Sequence, residues 1–85
     1  MDNISDKTIL LEALRSAESA DELIWNMGNE FRSRWKNDRK FLLDVMEYAP
    51  IAFICANEEL QNDETFRKEA VKRNVNVSLN FRIIK

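Results

Sequence analysis

The side chains able to act on a substrate are few and mostly of one kind. Histidine is absent, cysteine occurs once, and 15 Asp and Glu residues supply the carboxylates. Without histidine there is no His-based triad, no imidazole general base and no imidazole metal ligand. Cys55 stands in the apolar run Ala52-Phe53-Ile54-Cys55-Ala56, where a thiol behaves as a small buried hydrophobe. The local sequence offers it neither a cation nor open solvent, the two conditions that favour a thiolate. A single cysteine also excludes an intramolecular disulfide and a cysteine-based zinc site. Gly28 is the one glycine, too few for a phosphate-cradling loop. The expectation is a non-enzymatic protein with no catalytic residue, no metal site and no cofactor.

The carboxylates cluster in sequence as Asp44, Glu47, Glu58, Glu59, Asp63 and Glu64. Paired acids can exchange protons or hold a hard cation, but these lack calcium-loop spacing, and Asp44 and Glu47 fall on the polar side of a helix, which reads as a solvated face. Opposite in sign is the segment Arg32-Ser33-Arg34-Trp35-Lys36, continued by Arg39-Lys40. Cations beside an aromatic ring can hold a nucleic-acid backbone and stack a base. The plainer reading is a basic connector that neutralises its acidic neighbours, with Trp35 in the core. A sequence pI near 5.1 favours the plainer one, because nucleic-acid modules usually carry a basic footprint.

Charge is arranged in blocks. Residues 1–30 carry a net −5, residues 31–40 a net +4, residues 41–65 a net −6 and residues 66–85 a net +5. Attraction between neighbouring segments of one fold explains such alternation, although each exposed pair contributes only about 0–1 kcal/mol.

The C-terminal stretch alternates in hydropathy. Val75, Val77, Leu79, Phe81 and Ile83 are apolar, and Asn76, Ser78, Asn80 and Arg82 are polar. Period two marks a half-buried strand. Three readings stand: a tail extended over its own helices, a strand added to a target protein or a second copy, or a segment turned helical by context. Val77, Leu79 and Phe81 would carry recognition in the second, in which a homodimer forms through the tail.

Everything upstream has helical character. Three segments align, beginning Ser5-Asp6, Asn37-Asp38 and Asn62-Asp63. In each, a capping residue and an aspartate precede an amphipathic run. Ser, Asn and Asp oxygens accept free N–H groups of a first turn, and a carboxylate favours the positive end of the helix dipole. The apolar faces read Ile9, Leu10, Ala13, Leu14, Ala17; then Phe41, Leu42, Val45, Met46, Ala49; then Phe66, Ala70, Val71, with Arg67 replacing one apolar position. Between them, Ser19-Ala20-Asp21-Glu22 has capping-box spacing, Gly28 is placed to end a short helix, and Pro50 suits the first turn of another.

The stretch from Asp38 through Phe41-Leu42, Val45 and Tyr48-Ala49 to Glu59-Leu60-Gln61-Asn62-Asp63 and Glu69-Ala70-Val71 resembles an uncharacterised bacterial family of helical repeats. That family is a domain of unknown function, found in tandem in large proteins of intracellular bacteria. The resemblance is best over residues 37–74, with Met46, Pro50 and a C-terminal tail that does not align as departures. It implies a helical repeat and transfers no site residue.

The sequence thus predicts an all-α bundle of five or six helices in one domain over residues 1–85, with units at about 5–36, 37–61 and 62–85. The N-terminus Met1-Asp2-Asn3-Ile4-Ser5-Asp6 is acidic and opens no signal-type apolar run, so the cytoplasm is the expected compartment, with export by a route that needs no such signal as the exception. The leading expectation of function is a protein–protein interaction module, such as a small bacterial or phage-encoded effector or inhibitor, with no membrane partner. The alternative is a nucleic-acid binder using Arg32, Arg34, Trp35, Lys36, Arg39 and Lys40.

Overall fold

The computed structural model describes residues 6–82. Helix α1 spans Asp6–Ser16, α2 Ala20–Met27, α3 Asn29–Trp35 and α4 Arg39–Met46. A first 3-10 helix follows at Pro50–Cys55, then α5 (Glu58–Gln61), α6 (Glu64–Arg73) and a second 3-10 helix at Val75–Arg82. The described residues contain no strand, and six α-helices with two 3-10 helices slightly exceed the expected number.

The starts of α4 and α6 are set by aspartate oxygens, one residue later than the alignment predicts. Asp38 itself caps α4 by accepting the Phe41 N–H at 3.2 Å, and Asp63 caps α6 by accepting the N–H groups of Thr65 and Phe66. Asn37 instead accepts a hydrogen bond from the Asn57 side chain at 2.6 Å, and Asn62 closes α5. An aspartate at the cap joins the hydrogen bond and the dipole interaction in one group, which leaves the preceding asparagines free to tie down loops. Ser5 lies outside the described residues. Ser19 does cap α2, accepting from Glu22 N–H.

Helix α4 is the centre of the core. Phe41, Leu42, Leu43, Val45 and Met46 are all buried on it, and it packs against α1, α6 and the first 3-10 helix. Two aromatic clusters flank it. Phe31, Trp35 and Phe41 form one, with ring centroids 4.9 to 6.4 Å apart. Phe53, Phe66 and Phe81 form the other, with Phe53 at 5.9 Å from Phe66 and 4.8 Å from Phe81. Such tilted and offset separations are the favourable ones for aromatic pairs. Leu14, Phe41 and Phe66, one from each aligned segment, all point into this interior. The alignment overreaches in α1, where Ile9 is 56% exposed and Ala13 also faces out.

The strand reading of the C-terminal stretch is corrected. Val75–Arg82 is a 3-10 helix, while Ile83 lies outside the described residues. At three residues per turn, side chains three apart share a face. Accordingly Asn74, Val77 and Asn80 turn inward while Asn76 and Leu79 face solvent. Period two, read as a pleat, is lost once the backbone winds. The polar residues cause the winding, since they can satisfy backbone groups locally. Asn74 accepts the Asn76 N–H and donates to the carbonyls of Met46 and Glu47, Ser78 donates to Val75 O, and Asn80 donates to Pro50 O at 2.9 Å. Eight residues is long for a 3-10 helix, and these external anchors hold it.

The charge blocks interlock as ion pairs between segments. Lys7 pairs with Asp38, Arg34 with Asp6, Arg39 with Asp63 and Glu69, and Arg73 with Asp44 and Glu47. The Lys7 hydrogen bond, helped by the Phe41 N–H, holds the Asp38 carboxyl below its usual range. A depressed folded-state pKa stabilises the fold above the unfolded value, near 3.9, and that stability is lost as pH falls through the folded value. Asp38→Asn should keep the cap, because Asn caps nearly as well as Asp, yet flatten the loss of stability below about pH 4. Urea midpoints measured from neutral to acidic pH check this; parallel curves for the two proteins would refute it.

Candidate functional site

The basic segment singled out from sequence is divided by the fold. Trp35 is buried between Phe31 and Phe41, so it offers no stacking face. Arg34 is held 3.1 Å from Asp6 and lies over the Trp35 ring, and Arg39 bonds Glu69 at 2.9 Å while covering Phe66. Lys40 stands apart, beside a shallow depression with Lys7, Asp38 and Asp44. That leaves Arg32 and Lys36, both exposed, without ion pairs among the described residues and on one side of α3. Of the tail residues, Val77 is buried, Phe81 packs on Phe53 beneath the Arg67 guanidinium, and Leu79 alone stands 61% exposed.

An aromatic side chain that the sequence did not mark takes the exposed place. Trp25 on α2 is 67% exposed. Ile24, its neighbour, is fully buried, and Leu23 and Met27 pack partly against the core. A 100° step per residue therefore turns the indole outward. No feature of the short run Leu23-Ile24-Trp25-Asn26-Met27 distinguishes it from Trp35; only the packing of α3 on α4 decides which tryptophan is covered.

Trp25 forms the lip of a cleft of about 200 Å³ between α2, α3 and the first 3-10 helix. Ile24, Ile51, Ile54 and Cys55 make its walls apolar, and Gly28, Asn29 and Arg32 complete the rim. Two local devices create it. Gly28 takes φ 54°, a left-handed value that favours glycine, and its N–H reaches the carbonyls of Ile24 and Trp25. Helix α3 therefore starts immediately after α2 ends, with Gly28 alone between them. Asp21, in the first turn of α2, accepts the Ile51 N–H at 3.2 Å and ties the first 3-10 helix alongside. Pro50 begins that 3-10 helix, as its fixed φ suggests.

At the cleft floor Cys55 is buried, and burial pushes its thiol pKa up, partly opposed by the charge of Arg32. The tertiary structure thus supplies a cation that the local sequence lacked, but desolvation dominates and the thiol stays protonated. No three His, Cys, Asp or Glu side chains converge as a metal site among the described residues. No helix among them is long and apolar enough to cross a membrane. What the cleft can do chemically is bury an apolar group against isoleucines while a guanidinium waits at its edge.

A family model described as a domain of unknown function, DUF4116, matches residues 38–82, just over half of the 85-residue chain. The chain belongs to this family. No curated protein and no solved structure matches it. The DUF4116 match opens at Asp38, the cap of α4, and closes at Arg82, the last residue of the second 3-10 helix. The cleft straddles its boundary. Ile51, Ile54 and Cys55 fall within the DUF4116 stretch, whereas Ile24, Trp25, Gly28, Asn29 and Arg32 come from the helices before it.

Proposed function

We propose that this DUF4116 chain is a non-enzymatic, helical-repeat module that binds another protein through the Trp25 cleft. The repeat unit would be an aspartate-capped helix followed by a 3-10 segment. Asp38-capped α4 leading to Pro50–Cys55 and Asp63-capped α6 leading to Val75–Arg82 are consistent with it. The observation that carries the binding reading is the exposed indole beside an apolar, unfilled cleft. Tryptophan is among the residues most enriched where partners anchor, and its exposure in a chain with a core this small is costly unless something covers it. A cleft of about 200 Å³ lies below the roughly 300–1,000 Å³ of small-molecule sites but suits one large side chain. The residues first expected to recognise a partner are mostly engaged elsewhere, so Arg32 and Lys36 join Trp25 here while Val77 and Phe81 serve the core.

The test compares proteins captured from a lysate of the producing cells by the full chain and by Trp25→Ala. A specific partner should be retained by the former and bind the latter at least about tenfold more weakly, as for an anchor residue. Thermal stability should change little, because the site is at the surface. Equal capture by both, or capture abolished by nuclease, would overturn the reading.

A further inference from the structure

The cleft continues into a shallow trough along α3. Asn29 and Arg32 line both, and Ser33 and Lys36 extend the trough away from the isoleucines. Neither lining contains a carboxylate. Arg32 and Lys36 lie one helical turn apart, so their charges flank a single path out of the cleft. Among the described residues both are free of ion pairs, in contrast to Arg34 and Arg39 of the same basic block. Glu58 and Glu59 lie close in the fold, since Asn57 N–H bonds the Lys36 carbonyl, yet neither carboxylate pairs with the Lys36 ammonium. The apolar walls and the two unpaired cations therefore belong to one continuous surface.

We infer that this surface is selective for an acidic segment of a partner protein, one that inserts a large apolar side chain at Trp25 and lays a carboxylate against Arg32 and Lys36. This rests on the Trp25 cleft being the binding site. Arg32 is the better placed of the two cations. Its planar guanidinium can take a carboxylate with two parallel hydrogen bonds beside the apolar wall, and because Arg32 is exposed the pair stays open to screening by salt. Lys36, in the open trough, adds attraction at a distance, which raises the association rate more than the affinity. A nucleic acid fits less well. Two free cations neutralise few phosphates, and the affinity of such complexes grows with the number neutralised.

The experiment uses the full ¹⁵N-labelled chain and four capped peptides: acetyl-Glu-Phe-Glu-amide, acetyl-Gln-Phe-Gln-amide, acetyl-Lys-Phe-Lys-amide and acetyl-Glu-Ala-Glu-amide. Amide shifts of residues 24–32 and 51–55 report occupancy of the cleft. The Glu-Phe-Glu peptide should bind roughly tenfold more tightly than its Gln counterpart at low salt, the Lys peptide most weakly, and the difference should shrink as salt screens the pair. An Arg32→Gln/Lys36→Gln double variant should bind the Glu and Gln peptides alike. Equal binding of both by the unaltered chain would overturn the acidic preference and leave the anchor reading standing. Absence of cleft shifts with every Phe peptide, or undiminished binding of Glu-Ala-Glu, would overturn both. Tighter, salt-sensitive binding of an oligothymidylate at the same amides would overturn the protein assignment in favour of nucleic acid.

Discussion

Phe53→Ala should destabilise the chain by about 3–5 kcal/mol, the range for truncating a fully buried phenylalanine. Phe53 has no exposed surface and stands at the junction of three elements, against Phe66 of α6 and Phe81 of the second 3-10 helix. The Arg67 guanidinium lies over both Phe53 and Phe81, closing the cluster from the solvent side. Removing the ring leaves a cavity that neighbours cannot fill, because Phe66 is fixed on α6 and Phe81 is held through the Asn80 bond to Pro50 O. Small domains have total stabilities of about 5–15 kcal/mol, and this one sits near the small end of domain size. The measurable result is a urea or thermal midpoint shifted far downward, with the second 3-10 helix losing amide protection first. A variant within about 1 kcal/mol of the parent would show that the second aromatic cluster contributes little.

Gln61→Glu should cost about 2–3 kcal/mol at neutral pH through hydrogen bonding rather than packing. The Gln61 side-chain amide donates toward three carbonyls at once, Phe53 O at 3.4 Å, Ile54 O at 3.0 Å and Ala56 O at 2.9 Å. These lie at the C-terminal end of the first 3-10 helix, where Phe53 O also accepts the Ala56 N–H but the last carbonyls run out of intrahelical partners. A carboxylate of the same shape has no proton to donate and faces three negative dipole ends. Protonation restores one donor, so the pKa of the introduced Glu must rise on folding. A raised carboxyl pKa makes the lost stability return as pH falls, the opposite slope to that of Asp38. Denaturation curves at neutral and acidic pH distinguish this from a packing defect, which would show no recovery in acid. Gln61 was not singled out in sequence, because a glutamine after a short acidic turn looks like surface.

How far the sequence was legible varies by element. Phe41, Leu42, Val45, Met46 and Ala49 read as one face, and all five are buried, since α4 is packed against α1, α6 and the first 3-10 helix, so the whole of its apolar face is covered. In α1 the same rule misplaces Ile9 and Ala13: Leu10 and Leu14 are buried and Leu11 packs partly on the core, because α1 rests mainly on α4 and α2 and leaves its other sides open. Val75–Arg82 misled for a different reason. Alternation specifies a strand only when a partner strand accepts its backbone bonds; here the Asn76 N–H goes to the Asn74 side chain and Val75 O to the Ser78 hydroxyl, while the Asn74 and Asn80 amides tie the stretch to Met46 O and Pro50 O. Of the candidate binding residues, charge alone could not separate Arg32 and Lys36 from Arg34 and Arg39. All four sit within one basic block, and what differs is whether a distant carboxylate arrives beside them.

By itself the chain of residues determined helical class, the positions of the aspartate-led helices to within one residue, the stop at Gly28, the start at Pro50, and the absence of histidine chemistry and of an intramolecular disulfide. Each of these depends on hydrogen bonds or periodicity within a few neighbours. Which tryptophan is covered, which cations are neutralised, how the C-terminal stretch winds and that α2, α3 and the first 3-10 helix enclose a cleft were decided only by tertiary structure. Those outcomes rest on contacts between residues some thirty positions apart, such as Asp21 with Ile51 and Arg39 with Glu69, and no local pattern carries the information about which surfaces will meet.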